Sequence, residues 1–182
     1  MAQDTLSRSL HDVGLAAWFG GTLANAVALN PAAAETADPE STGRVANTGW
    51  NKWTPVNAAA IGAHLAGSVG ELVGNRGRLA AQEGVATMSL AKTGLTVAAL
   101  GVTGYSRLLG RKVAKDTSVP AASGTESTVD TPIEVVRAQK KLSALQWVVP
   151  ALTGALIVIS AFAGEQQRPT QVKKGILSRF TK

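Results

Sequence analysis

The chain has 182 residues, a formal charge of +6 and no cysteine, which excludes disulfides, thiolate metal sites and cysteine nucleophiles. Aromatic residues make up 4% while glycine contributes 19 positions, so little large apolar surface is available to fill a water-soluble core. With a pI of about 10.0 the basic balance suits either nucleic acid or anionic lipid, and the placement of the charges decides between them.

The charges fall between apolar runs. Asp12 and Glu35 enclose 22 uncharged residues, and Lys52 and Glu71 enclose 18. Residues 84–106 carry the single charge of Lys92, and residues 142–164 carry none. A helix needs about 20 mostly apolar residues to cross the hydrocarbon layer, and all four runs approach that length. The predicted fold is therefore all-α: an integral membrane bundle of four transmembrane helices over about 13–31, 54–74, 84–106 and 142–164. Residues 1–182 form one membrane domain. Three spans are the alternative, because the second run is alanine-rich and carries His64.

Taken in chain order, the first run looks retained, with no cleavable signal peptide evident. Asn30-Pro31 is expected to end it. "WTPVN" predicts Thr54 as the N-cap of the second helix and Pro55 at its first position. The segment 114–130, rich in Ser, Thr, Pro and Ala, reads as a flexible loop. "DTPIEVV" predicts a cap at Thr131, a start at Pro132 and a capping box with Glu134. Pro150 then lies inside the fourth helix, where a kink is expected. Trp50, Trp53 and Trp147 sit near span ends, where indoles favour the interface, whereas Trp18 is deeper. Residues 165–182 form a basic tail. Basic residues are almost equally divided between the two sides, with a slight preference for both termini in the cytoplasm.

The second run repeats small residues every four positions, at Ala58, Gly62, Ala66, Gly70 and Gly74, a face suited to close helix packing. Polar residues inside the runs are the candidate site: His64, Lys92, Asn25, Asn57 and Glu71. Asn57 and Glu71 lie seven residues either side of His64, hence on one face of a helix. Charge at such depth is costly, so these residues either line a track for protons, a small solute or a cofactor, or hydrogen-bond across helices as glue. A haem held by His64 would want a second axial histidine; His11, at the edge of the first run, is expected to lie too far from it in depth. Two histidines and two methionines make a poor metal set, and no G-x-S-x-G, H-E-x-x-H or P-loop motif occurs.

The stretch "HDVGLAAWFGG", His11 to Gly21, resembles the first helix of small bacterial four-helix membrane proteins such as copper-resistance D-type domains, which would imply copper handling. "WTPVNAAAIGAHLAG", "VTGYSRLLGRKV" and "LQWVVPALTGALIVISAFAGEQQRP" resemble uncharacterised four-helix integral membrane proteins of actinobacteria, which implies a multi-pass protein of the bacterial plasma membrane.

The expected function is that of a non-enzymatic accessory or scaffold subunit of a larger membrane complex, needing no cofactor. Its expected partners are membrane lipid and either partner subunits or a second copy of the chain, with no nucleic acid. A small transporter or proton-conducting module built on Asn25, His64 and Lys92 is the alternative, and a redox subunit using His64 a third. Convergence of the polar residues on one cavity would favour the second and third.

Overall fold

The computed structural model describes residues 2–82, 84–115 and 119–168, together with 170, 172, 173 and 177, and side chains from residue 5 onward. Among these residues there is no strand, only an isolated bridge between Ala121 and Ser127. Four long helices alternate in direction: α1 (Ala2–Ala24), α3 (Pro39–Gly74), α5 (Val85–Val113) and α6 (Ile133–Glu165), with short α2 (Asn30–Ala34) and α4 (Arg76–Ala81). Three stretches, Thr5–Ala34, Val85–Val113 and Ile133–Glu165, are long and apolar enough to cross a membrane. The apolar half of α3 falls short of that hydropathy, so composition alone supports three spans rather than four.

The first helix does not stop at Asn30-Pro31. A π turn, Asn25–Leu29, carries α1 into α2, and the widened turn accommodates a proline that offers no N–H and whose ring crowds the preceding turn. The second helix likewise does not start at Pro55. It begins at Pro39, capped by the Asp38 carboxylate, which accepts from the Ser41 N–H at 2.8 Å. Pro55 deletes one rung inside a helix that is held on both sides of it: the Trp53 ring fills the space over Gly21 before it, and Gly14 lies against the Ala60 carbonyl after it. Thr54 does not cap; its hydroxyl donates back to the Trp50 carbonyl at 2.8 Å.

The Ser41 backbone N–H and hydroxyl hold the Asp38 carboxyl below the usual aspartate range. A depressed acid stabilises the fold above its unfolded pKa, and the contribution is lost as pH falls through the folded value. Protection of the Ser41 amide, measured against its intrinsic exchange rate at each pH, is therefore expected to fall several-fold below about pH 4, where a free aspartate titrates. In Asp38→Ala the lowered protection should already be present at neutral pH; unchanged protection in that variant would remove the cap from the account of this helix start.

The α6 start matches its expected position, but its cap does not. Thr131 is committed to the preceding loop, donating to the Pro120 carbonyl at 2.6 Å and accepting from the Thr128 N–H at 2.8 Å, and no side chain caps the helix. That loop is packed rather than free. Val119, Ala121 and Thr125 are buried, Ala121 N–H bonds the Pro39 carbonyl at 3.0 Å, and the Val119 carbonyl lies over Gly43. Here Leu109, Val113, Val119, Val135 and Ala138 make a small second core. The main core, Leu15, Trp18, Ala60, Ala99, Val149 and Leu156, occupies the middle of the bundle. Of the basic tail, residues 169, 171, 174–176 and 178–182 lie outside the described residues.

Three sides of the bundle are closed: α1 packs along α3, α5 along α6, and α1 against α6. The fourth is not. Between α3 and α5 the links are side-chain bridges, Glu71 to Lys92, His64 to Thr96 and Asn51 to Arg107, leaving a lateral groove. Those bridges also mark two levels. Between the Glu71–Lys92 level and the Lys52–Arg107 level, residues 53–70 of α3 and 93–106 of α5 carry no charge, a slab about 20–27 Å thick at 1.5 Å per residue.

Candidate functional site

Asn57, Glu71 and His64 share a face of α3, but the other helices partition them. At one end of the slab, Lys92 Nζ lies 3.2 Å from Glu71 Oε2, both side chains largely buried. Lys92 thus stands at the slab's edge with a counter-ion, not alone near its middle. Two turns further in, His64 is fully buried. Its Nδ1 lies 3.4 Å from the His11 carbonyl, and a carbonyl can only accept, so the proton sits on Nδ1 and Nε2 accepts from the Thr96 hydroxyl at 3.5 Å. Both contacts are long, at the limit of useful hydrogen bonding.

His11 is not remote from His64; their ring centroids are 4.6 Å apart and the planes tilted by 48°. The packing of α1 on α3 accounts for this. A Cβ at Gly14 would meet the Ala60 carbonyl and His64 N–H at 2.5 Å, and one at Gly67 would meet the Ser7 carbonyl at 2.5 Å. The glycines bring the two backbones into contact and bury His11 beside His64. Haem still does not fit: rings in van der Waals contact leave no space for a macrocycle between them. Among the described residues no three His, Asp or Glu side chains converge as metal ligands.

His11 Nδ1 donates to the neighbouring Asp12 carboxylate at 2.8 Å, while its Nε2 is buried without a partner. That atom and the unpartnered Ser160 hydroxyl line a cleft of about 450 Å³ with Arg8, Glu71 and Lys92. This is the first of two polar centres.

The second lies at the opposite level, where Asn57 faces a cavity of about 240 Å³ between α3, α5 and α6. Four of the residues that line it each hold a buried polar atom without a partner: Trp53 Nε1, Asn57 Oδ1, Ser106 Oγ and Arg107 Nε. Each such group costs about 1–3 kcal/mol when left unpaired, so four around one space are unusual. Of these the sequence marks Asn57 as a candidate site residue and Trp53 as an interfacial indole; Ser106 and Arg107 are legible only as the close of an apolar run. Asn25, in the π turn, joins neither centre. Beside the second centre, Asn30, buried and expected only to end a helix, donates to Gln146 Oε1 at 2.8 Å and accepts from Trp50 Nε1 at 2.9 Å. Between the centres lies the apolar core with Leu15, Ala60, Ala99 and Leu156, so the polar residues form no continuous track.

The small-residue face is divided as well. Gly70 packs against Ser7, but Gly62 has nothing within 4 Å of its missing Cβ, and Ala58, Ala66 and Gly74 are exposed. The α1 contact instead uses Ala60, His64 and Gly67, because that is the stripe Gly14 and His11 meet. No protein-family model matches the chain, and comparison with curated proteins and with solved structures likewise returns no match.

Proposed function

We propose that this is a multi-pass membrane protein of four spans that serves as a non-enzymatic accessory subunit, its open side docking a membrane partner. The fourth crossing is supported by the pairing of α3 with α1. From Ser7 against Gly70 to Leu29 against Gly49, the two run side by side, so a bilayer crossed by α1 also contains the second half of α3. The charge-free slab of about 20–27 Å approaches the thickness of the hydrocarbon layer, and Trp50, Trp53 and Trp147 all lie towards its Lys52–Arg107 face.

The carrying observation is that the α3–α5 side is bridged by side chains alone, while Gly62 and Ala66, on the outer face of α3, are exposed with nothing over Gly62. Gly94 and Gly101 are unopposed too, but on the side of α5 turned away from Lys92 and Thr96, so they offer a separate exposed face. In lipid, small exposed residues are where another helix approaches closely. Conduction is the weaker reading, since the apolar core separates the two polar centres.

Gly62→Leu tests this, because the open space at that position lets the monomer fold unchanged. Cysteines placed at Ala58 and Ala66 are expected to cross-link to one defined species in native membranes, and Gly62→Leu should abolish the product without changing thermal stability. A chain that stays monomeric and uncross-linked in its own membrane, or a product indifferent to the leucine, would overturn the docking role.

A further inference from the structure

We propose that the cavity bounded by Trp53, Asn57, Ser106 and Arg107 is a binding site for the phosphate head of an anionic membrane lipid. Three of the unpartnered atoms are hydrogen-bond donors: the indole N–H of Trp53, the hydroxyl of Ser106 and the Nε–H of Arg107. All three belong to residues that line one cavity, and an acceptor-rich group seated there would supply the partner they lack once they turn to it. Arg107 adds a permanent positive charge, and its Nη1 is already fixed by donating to Asn51 Oδ1 at 3.1 Å, which orients the guanidinium. Among the described lining residues none is acidic, so nothing repels an anion.

The surroundings specify an amphiphile. Ile61, Leu142, Leu145 and Val149 line the same space as Trp50 and Trp53. The cavity lies where the charge-free slab meets its Lys52–Arg107 face, the depth at which phosphate heads reside in a bilayer. At about 240 Å³ it holds a head and the first part of a chain, with the remaining tail left in the lateral groove or in lipid. The first polar centre has a different character, since Glu71 and Asp12 line it beside its cations. This inference rests on α3 and α5 lying in the bilayer and not on any partner subunit.

The experiment is native mass spectrometry of the full chain, released from nanodiscs containing phosphatidylglycerol, phosphatidic acid or phosphatidylcholine. Wild type is expected to retain one phosphatidylglycerol or phosphatidic acid per chain and at least tenfold less phosphatidylcholine. Arg107→Gln and Trp53→Phe should each lower retention of the anionic lipid about tenfold, while Arg111→Gln, at an exposed neighbouring position, leaves it unchanged. Trp53→Phe also removes indole atoms packed over Gly21, so Ser106→Ala, which removes a donor and almost no volume, should lower retention as well and keeps the test decisive if either variant folds poorly. Equal retention of all three lipids, or retention indifferent to the Arg107, Trp53 and Ser106 variants, would overturn the assignment. Displacement of the lipid by millimolar inorganic phosphate would overturn it in favour of a soluble anion. Alkaline carbonate extraction of native membranes reads the bilayer placement separately: release of the chain there sinks the spans, whatever the lipid result.

Discussion

Replacing Gly67 by valine is expected to cost about 3 kcal/mol, at the upper end of overpacking penalties, and to separate α1 from α3. The reason is the identity of the atoms it would meet. A side chain at Gly67 runs into the His11 backbone N–H and the Ser7 carbonyl, and neither can swing away as a flexible side chain would. Gly14→Val meets the Ala60 carbonyl and the His64 N–H from the other helix and should cost as much. Gly62→Val, five residues from Gly67 but facing open space, should cost less than about 0.5 kcal/mol. Thermal melts in one detergent would compare them, with a loss of roughly 6–12 °C for the first two. If all three melt together, the α1–α3 contact is not the glycine-mediated approach described above.

This contact also shows how far the sequence could be read. The four charge-free runs and the alternation of direction follow from residue types alone, since a charge in a buried slab is penalised wherever it falls. Register does not. The first run begins at Val13 and the second ends at Gly70, yet Gly67 packs against His11, so the two runs overlap with an offset. Depth measured from the middle of each run therefore placed His11 and His64 apart, although their rings touch. A glycine contact between distant segments leaves no local periodic signal, because the partner glycine lies some fifty residues away.

Pro55 and Pro31 misled for a related reason. A proline after Thr or Asn has the chemistry of a helix boundary, and local propensity was the available guide. In the folded chain both prolines are carried inside longer helices, Pro55 by the Trp53–Gly21 and Gly14–Ala60 contacts either side of it and Pro31 by the π turn before Asn30. Tertiary contacts outweigh the lost rung. The unpartnered atoms at Ser106 and Arg107 were hidden differently: a serine and an arginine at the end of an apolar run are ordinary, and only the open α3–α5 side makes them face a cavity.

His64 itself is expected to act through its volume rather than its nitrogens. Both of its hydrogen bonds are at least 3.4 Å long, and neither partner depends on it: the Thr96 hydroxyl can turn to its own helix backbone, and the His11 carbonyl belongs to a helical ladder. What the ring does closely is fill the space between His11, at 4.6 Å, and Trp18, at 6.1 Å. His64→Ala should therefore cost about 2–4 kcal/mol, the range for opening a cavity in a closed core. His64→Leu, which restores most of the volume and no polar atom, should cost less than about 1.5 kcal/mol. Thermal or chemical unfolding of the two variants in the same detergent separates the roles. A leucine variant as damaged as the alanine variant would mean that the imidazole nitrogens carry the energy, and His64, with the orphaned Nε2 of His11 beside it, would then return as a chemical centre rather than a packing residue.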